Sequence, residues 1–287
     1  MINRRRIICT VFLLSVLAAL AACGKKQEPA SSQSEVPPVV SDYPFYNPLT
    51  EPSNIADDNT PTPPDEEIVT KIAEYEEKNP ETIAWLKIPG TKIDDIVFKD
   101  PKGNNKYMRL DNNGKWAMEG CYFADYRVNI KDRATLGKNT IIYGHNLNDN
   151  TESGLRFSQL INYVNLDYAK AHPYVYVTTP EDEMVFKVFA TFYANWREFD
   201  YIKTDFKTPA EFTDLVAEAR KRSLANFDVD VTGGDKIVTL STCTYKFGGV
   251  KNKNQRFVVM ARLLHTTESV TDAVTAVANP APVMPKF

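Results

Sequence analysis

The chain has 287 residues, 43% of them hydrophobic, and a formal net charge of −3, so it can bury a sizeable core within one main domain. Its mild acidity argues against nucleic-acid binding. It holds no internal repeat, no glycine-rich phosphate loop and no Cys-x-x-Cys pair, which argues against phosphate cradles and paired-thiol redox chemistry.

The N-terminus reads as an export signal. Arg4, Arg5 and Arg6 open it, residues 7–24 carry no charge, and Leu20-Ala21-Ala22-Cys23-Gly24 follows. That ending resembles a bacterial lipobox, which implies cleavage after residues 1–22 and lipid attachment to Cys23. The alternative is an uncleaved anchor, whose uncharged run falls just short of the ~20 residues of a spanning helix. Either arrangement keeps the arginines inside and sets the remaining chain outside the cytoplasmic membrane. Without those three arginines the formal charge moves from −3 to −6, because residues 1–22 hold no acid.

Residues 23–64 read as the lipobox cysteine and a flexible tether, rich in Pro, Ser, Asn and acids, with Thr60-Pro61-Thr62-Pro63-Pro64 near its end. Tyr43, Phe45 and Tyr46 interrupt it as candidate docking residues. Residues 65–265 have the size of one domain. Residues 65–79 predict an amphipathic helix with Ile68, Ile72 and Tyr75 on one face and Pro80 as its stop.

The period then changes. Short runs rich in branched and aromatic residues at 84–88, 93–98, 120–124, 140–143, 174–178, 184–193, 236–240 and 256–264 alternate with Gly, Asn, Asp and Pro clusters. About eight such strands predict a mainly β fold, a closed or nearly closed barrel. One helix interrupts them in the long connection before residue 236. Thr208-Pro209-Ala210-Glu211 is a capping box, and Phe212, Leu215, Val216 and Ala219 form its apolar stripe. Residues 266–287 read as a tail poor in core-forming pattern.

Of four cysteines, Cys9 falls in the signal and Cys23 at the lipid site. Cys121 sits inside an apolar strand and reads as an inert buried thiol, with a Cys121–Cys243 disulfide as the exported-protein alternative. Cys243 ends the strand run Thr239-Leu240-Ser241-Thr242-Cys243 and is followed by polar and basic residues, the setting of a reactive thiolate. His172 precedes Pro173 and reads as a turn residue, and His265 as an exposed one. His145 follows Ile141-Ile142-Tyr143-Gly144, a strand end suited to a general acid or base. Arg256 opens the last strand on the face of Val258 and Met260, where it is either a solvated arginine or a donor to a developing oxyanion. No second His or Cys near His145 has metal-ligand spacing.

Together these segments resemble the sortase family. Thr239-Leu240-Ser241-Thr242-Cys243 with Arg256 in the next apolar strand resembles its cysteine signature, and Tyr143-Gly144-His145-Asn146 its histidine strand end. Trp85-Leu86-Lys87-Ile88-Pro89-Gly90-Thr91 is similar to the family's first strand. Asp125-Tyr126-Arg127 and the two helices are similar to class B members. The resemblance implies a sortase β-barrel and a cysteine transpeptidase without cofactor or metal. Cys243 is then the nucleophile toward a threonine carbonyl in a C-terminal sorting motif, His145 the acid and base, and Arg256 the substrate and oxyanion clamp. Ser241, Thr242, Asn104 and Met108 would line the groove. Implied partners are secreted proteins carrying that motif and an amine of peptidoglycan or a pilin. Hydrolysis of such motifs, or a lipoprotein binding module without chemistry, are the other functions these residues allow.

Overall fold

A computed structural model describes residues 60–147 and 154–287. Cys23, Tyr43, Phe45 and Tyr46 lie outside these residues, and so do the expectations that rest on them.

The first helix, α1 (Glu66–Lys78), is capped by Asp65, whose carboxylate accepts from the Glu67 N–H. It lays Ile72, with Ile68 and Tyr75 beside it, on Trp85, Ile96, Phe98, Tyr107, Cys121 and Phe123. Eight strands then close a barrel: β1 (Thr82–Lys87), β2 (Asp94–Phe98), β3 (Tyr122–Ala124), β4 (Asn139–Tyr143), β5 (Tyr174–Thr178), β6 (Glu183–Asn195), β8 (Ile237–Cys243) and β9 (Gln255–Leu263). Their spatial order is β1-β2-β3-β4-β8-β9-β6-β5, with β5 returning to β1. These are the eight runs expected from the sequence. By their alternation and register Ile142, Val188, Leu240 and Val259 share one buried face of these strands within the core.

Two pairings are parallel, β2 with β3 and β4 with β8. The second matters most, because it brings two strand ends to one rim. Helix α3 (Pro209–Arg222) packs on β6 in the connection before β8, its Thr208 hydroxyl accepting from the Glu211 N–H.

Several features depart from the sequence reading. Residues 156–171 form a 3₁₀ segment (Arg156–Val164) and a short helix, α2 (Leu166–Ala171), that the strand-dominated pattern did not suggest. Chain before Asp65 already belongs to the fold: the Thr62 N–H donates to Asp182 Oδ1 (2.8 Å), and Arg133 NH2 donates to Thr62 Oγ1 (2.6 Å) and to Asp182 Oδ1 (2.9 Å). The tail packs as well, with β10 (Ala276–Ala278) pairing antiparallel with β7 (Ala225–Phe227). Backbone pairing and a few scattered side chains, such as buried Ala276 and Pro285, hold it there, so it leaves little hydrophobic periodicity to read.

His265 corrects another expectation. Rather than standing free in solvent, it is partly buried, with Nε2 2.6 Å from Asp235 Oδ1. Burial raises and the His265 hydrogen bond lowers the Asp235 pKa, with the net effect downward. His172 behaves as a turn residue, its Nδ1–H donating to the Pro89 carbonyl at 2.8 Å.

Candidate active site

The barrel topology assembles the site. In the parallel β4–β8 ladder Tyr143 is level with Ser241, so His145, two residues on, runs beside Cys243, two residues on. In the antiparallel β8–β9 ladder Cys243 faces Arg256 directly, and facing residues of such a pair project from the same side of the sheet. β8 therefore carries the thiol with the imidazole strand on one flank and the guanidinium strand on the other. Thiol, imidazole and guanidinium all line one open cleft of about 450 Å³, and so do Ser241, Thr242, Asn104 and Met108.

Local contacts lock the strand ends together. The Gly144 N–H donates to Ser241 O (3.4 Å), and Thr242 Oγ1 donates to Gly144 O (2.8 Å). Ser241 Oγ shares a 2.8 Å hydrogen bond with the Tyr201 hydroxyl, whose pKa burial pushes up to about 12. Both strand hydroxyls are thus engaged by the fold. Past Cys243, buried Asn146 donates from Nδ2 to the Cys243 carbonyl at 3.0 Å, pinning the backbone of the thiol.

Gly144 is glycine because nothing larger fits: a Cβ there would stand 2.8 Å from the Phe157 ring and 2.9 Å from Tyr122. Gly144→Ala is expected to cost about 1–3 kcal/mol by forcing these buried rings apart. Thermal unfolding reads the loss. Because the displaced residue precedes His145, turnover should fall further than the lost stability alone requires.

The imidazole is held by the segment before β3. His145 Nε2 lies 2.7 Å from the Met108 carbonyl; a carbonyl only accepts, so Nε2 carries the proton. Burial lowers the His145 pKa, Arg109 and Arg156 lower it further, and the Met108 contact opposes them. Arg256 NH1 donates to the carbonyls of Lys253 (2.8 Å) and Gln255 (2.9 Å). No carboxylate forms an ion pair with it among the described residues.

Sequence reasoning missed the carboxylate that ties the cleft walls together. Asp125 is fully buried and accepts from Arg127 Nε and NH2 (2.7 and 2.9 Å), the Tyr143 hydroxyl (2.9 Å) and Asn104 Nδ2 (2.9 Å). Arg127 NH2 also reaches the Ile202 carbonyl at 3.1 Å. One ion pair thereby joins the loop of Asn104, the strand of His145 and the loop of Ile202. Burial opposes Asp125 ionisation, but the bonds from Arg127, Tyr143 and Asn104 outweigh it and lower its pKa.

Asp125→Asn is expected to destabilise the fold by about 2–3 kcal/mol, below the value for a fully buried pair because Arg127 can hydrate. Since the folded carboxyl titrates below its unfolded value, its contribution exists above the ordinary carboxylate range and is lost as pH falls through the folded pKa. The stability gap between wild type and variant, read by denaturant midpoint, should therefore close on acidification. A gap independent of pH would contradict the ionic role.

The two remaining thiols are free. Cys121 is fully buried beneath α1 with its thiol on the Leu110 carbonyl, whereas Cys243 is partly exposed in the cleft, so the disulfide alternative does not hold.

Comparison with known proteins agrees with this arrangement. The Sortase domain family model matches residues 86–264. The chain belongs to the sortase family. It is 29% identical over 199 residues to sortase B of Staphylococcus aureus (strain NCTC 8325 / PS 47), covering 69% of this chain and 77% of that protein. It is 32% identical over 177 residues to sortase B of Listeria monocytogenes serovar 1/2a, covering 62% and 68%. A Staphylococcus aureus sortase B–substrate complex superposes with TM-score 0.60 at 28% identity, over 70% of this chain and 88% of that one. Clostridium perfringens sortase B gives 0.59 at 28%, over 67% and 98%. This sortase is thus a cysteine transpeptidase with class B relatives, and sortases act at the bacterial cell surface.

Proposed function

We propose that residues 65–265 form the catalytic domain of a class B-like sortase that cleaves a C-terminal sorting motif after threonine and joins the acyl group to an amine of the cell wall or another surface protein. The observation that carries the reading is the flanking of β8: Cys243, His145 and Arg256 reach one cleft from three adjacent strands.

In this mechanism the Cys243 thiolate attacks the threonine carbonyl carbon, forming a C–S bond. The tetrahedral oxyanion leans on Arg256. As the C–N bond breaks, His145 gives its proton to the departing amine, leaving a thioacyl enzyme. The acceptor amine then attacks the thioester, His145 takes the proton it sheds, and Cys243 leaves as thiolate. Burial disfavours the imidazolium of His145, so only part of the enzyme carries it at neutral pH. Asn104 and Met108 line the cleft together with Ser241 and Thr242. Export and anchoring by residues 1–22 or a lipid on Cys23, with 23–64 as tether and 266–287 beyond the domain, would hold the enzyme at the membrane's outer face.

Incubating the chain with a sorting-motif peptide and excess triglycine tests this. The expected product is the peptide joined to triglycine, through an adduct visible by intact mass. Hydrolysed peptide alone would favour a thiol peptidase, and no adduct at all a binding module.

A further inference from the structure

The last nine residues lie outside the segment matched to the family, 86–264, yet they are tied to the cleft at several points. Asn279 bonds the backbone of Leu224 (3.0 Å) and Ser223 (2.7 Å), and the Val283 N–H donates to Lys221 O (2.9 Å), at the end of α3. Lys286 is held through its backbone on both sides: its N–H donates to Glu198 Oε2 (2.9 Å), and its carbonyl accepts from Asn195 Nδ2 (2.7 Å). Phe287 lies on Phe247 with ring centroids 5.0 Å apart.

These anchor points border the loop of Trp196, which lines the cleft, and the loop that joins Cys243 to Arg256. Asn195 and Glu198 flank Trp196, which lines the cleft and whose N–H donates to Asn254 O. Glu198 also pairs with Arg222, which lies over Phe199; that ring contacts Tyr201, the hydroxyl partner of Ser241. Phe247 stands four residues after Cys243, between Phe287 and Tyr193 (centroids 5.3 Å), with its N–H on Gln255 Oε1. Immediately after it Gly248 and Gly249 adopt φ of 82° and 63° with open space around them, a conformation that costs glycine little and lets a loop move. The aromatic sandwich at Phe247 therefore adds to the Tyr245 hydroxyl on Asn146 O (2.8 Å) and the Thr244 N–H on Gln255 O (3.4 Å) in fixing the first half of the loop joining Cys243 to Arg256.

We propose that residues 279–287 are a positioning strap that fixes Trp196 in the cleft wall and Phe247 in the loop leaving Cys243, and thereby sets the affinity for the sorting peptide. This rests on the transpeptidase reading above. Cys243 and Arg256 keep their places without the strap, because β8–β9 pairing and the Ala194–Arg256 register hold them. The strap's effect is on KM, not on the chemical step.

The experiment compares the full chain with Phe287→Ala, Phe287→Tyr and deletion of 279–287. Phe287→Ala and the deletion are expected to raise KM for the peptide by about fivefold or more while kcat stays within about twofold. Phe287→Tyr, which keeps the ring, should restore wild-type KM. Amide exchange, measured without substrate, should accelerate by about tenfold or more at Trp196 and Phe247 in the deletion, with β4 and β8 unchanged. Unchanged exchange at those two amides overturns the strap, and so does faster exchange with unchanged KM. If the wild type transfers no peptide, the transpeptidase reading fails, and the exchange arm alone still decides whether the strap holds the loops.

Discussion

Replacing Cys243 by alanine is expected to abolish the thioacyl adduct and lower turnover by at least about a thousandfold, whereas Cys121→Ala should leave adduct formation intact. The contrast follows from where each thiol sits. Cys243 is partly exposed on a strand end in the cleft, level with Arg256 and beside the His145 strand. Cys121 is fully buried, its thiol donating to the Leu110 carbonyl at 2.9 Å, and burial pushes its pKa up to about 12. A thiol held protonated and out of solvent neither attacks a carbonyl nor accepts an alkylating reagent at a useful rate. Intact-mass analysis after reaction with a sorting peptide, and again after iodoacetamide, reads both variants. An adduct that survives Cys243→Ala, or disappears in Cys121→Ala, would overturn the assignment of the nucleophile.

What the sequence revealed divides by the range of the interaction. The barrel strands are legible because branched runs such as 236–240 and 256–264 are bounded by turn residues, and the register of each run places its own buried face. The α3 start is legible because Thr208, Pro209 and Glu211 act within four residues of one another. Partners distant along the chain are not legible in this way. Asn146 reads as loop polarity, yet it holds the carbonyl of Cys243, 97 residues away. Asp125 and Arg127 read as a family-like segment, but their joining of Asn104, Tyr143 and Ile202 depends on β2–β3 and β3–β4 pairing that no local period encodes. Likewise Tyr201 and Trp196 belong to an irregular stretch and reach the cleft only because β6 runs far enough to deliver them. The tail from 266 is the extreme case, held by its backbone bonds to the Leu224 and Lys221 carbonyls and the Glu198 carboxylate and by isolated side-chain contacts such as Phe287 on Phe247.

Arg256→Lys, which keeps the charge, is the sharper probe of the remaining site residue. It is expected to lower kcat by about a hundredfold with a smaller change in KM, and Arg256→Ala to lower it further. The guanidinium uses NH1 to bind the Lys253 and Gln255 carbonyls, an attachment that fixes its plane while it lines the cleft beside Cys243. A single ammonium can satisfy those carbonyls or meet a developing oxyanion, but it cannot hold a rigid fork to both. Electrostatic stabilisation of a transition state depends on donors already in place, so the loss falls on kcat. The substitution keeps a positive charge at this position, so the pH profile should keep the wild-type shape and move down as a whole. Its shape belongs to groups such as His145, whose pKa burial lowers, and raising the pH through that value removes the imidazolium. A lysine variant within about threefold of wild type, a loss under about 0.7 kcal/mol, would mean that Arg256 contributes charge alone. A profile displaced along the pH axis would mean that it acts by tuning the imidazole or the thiol instead.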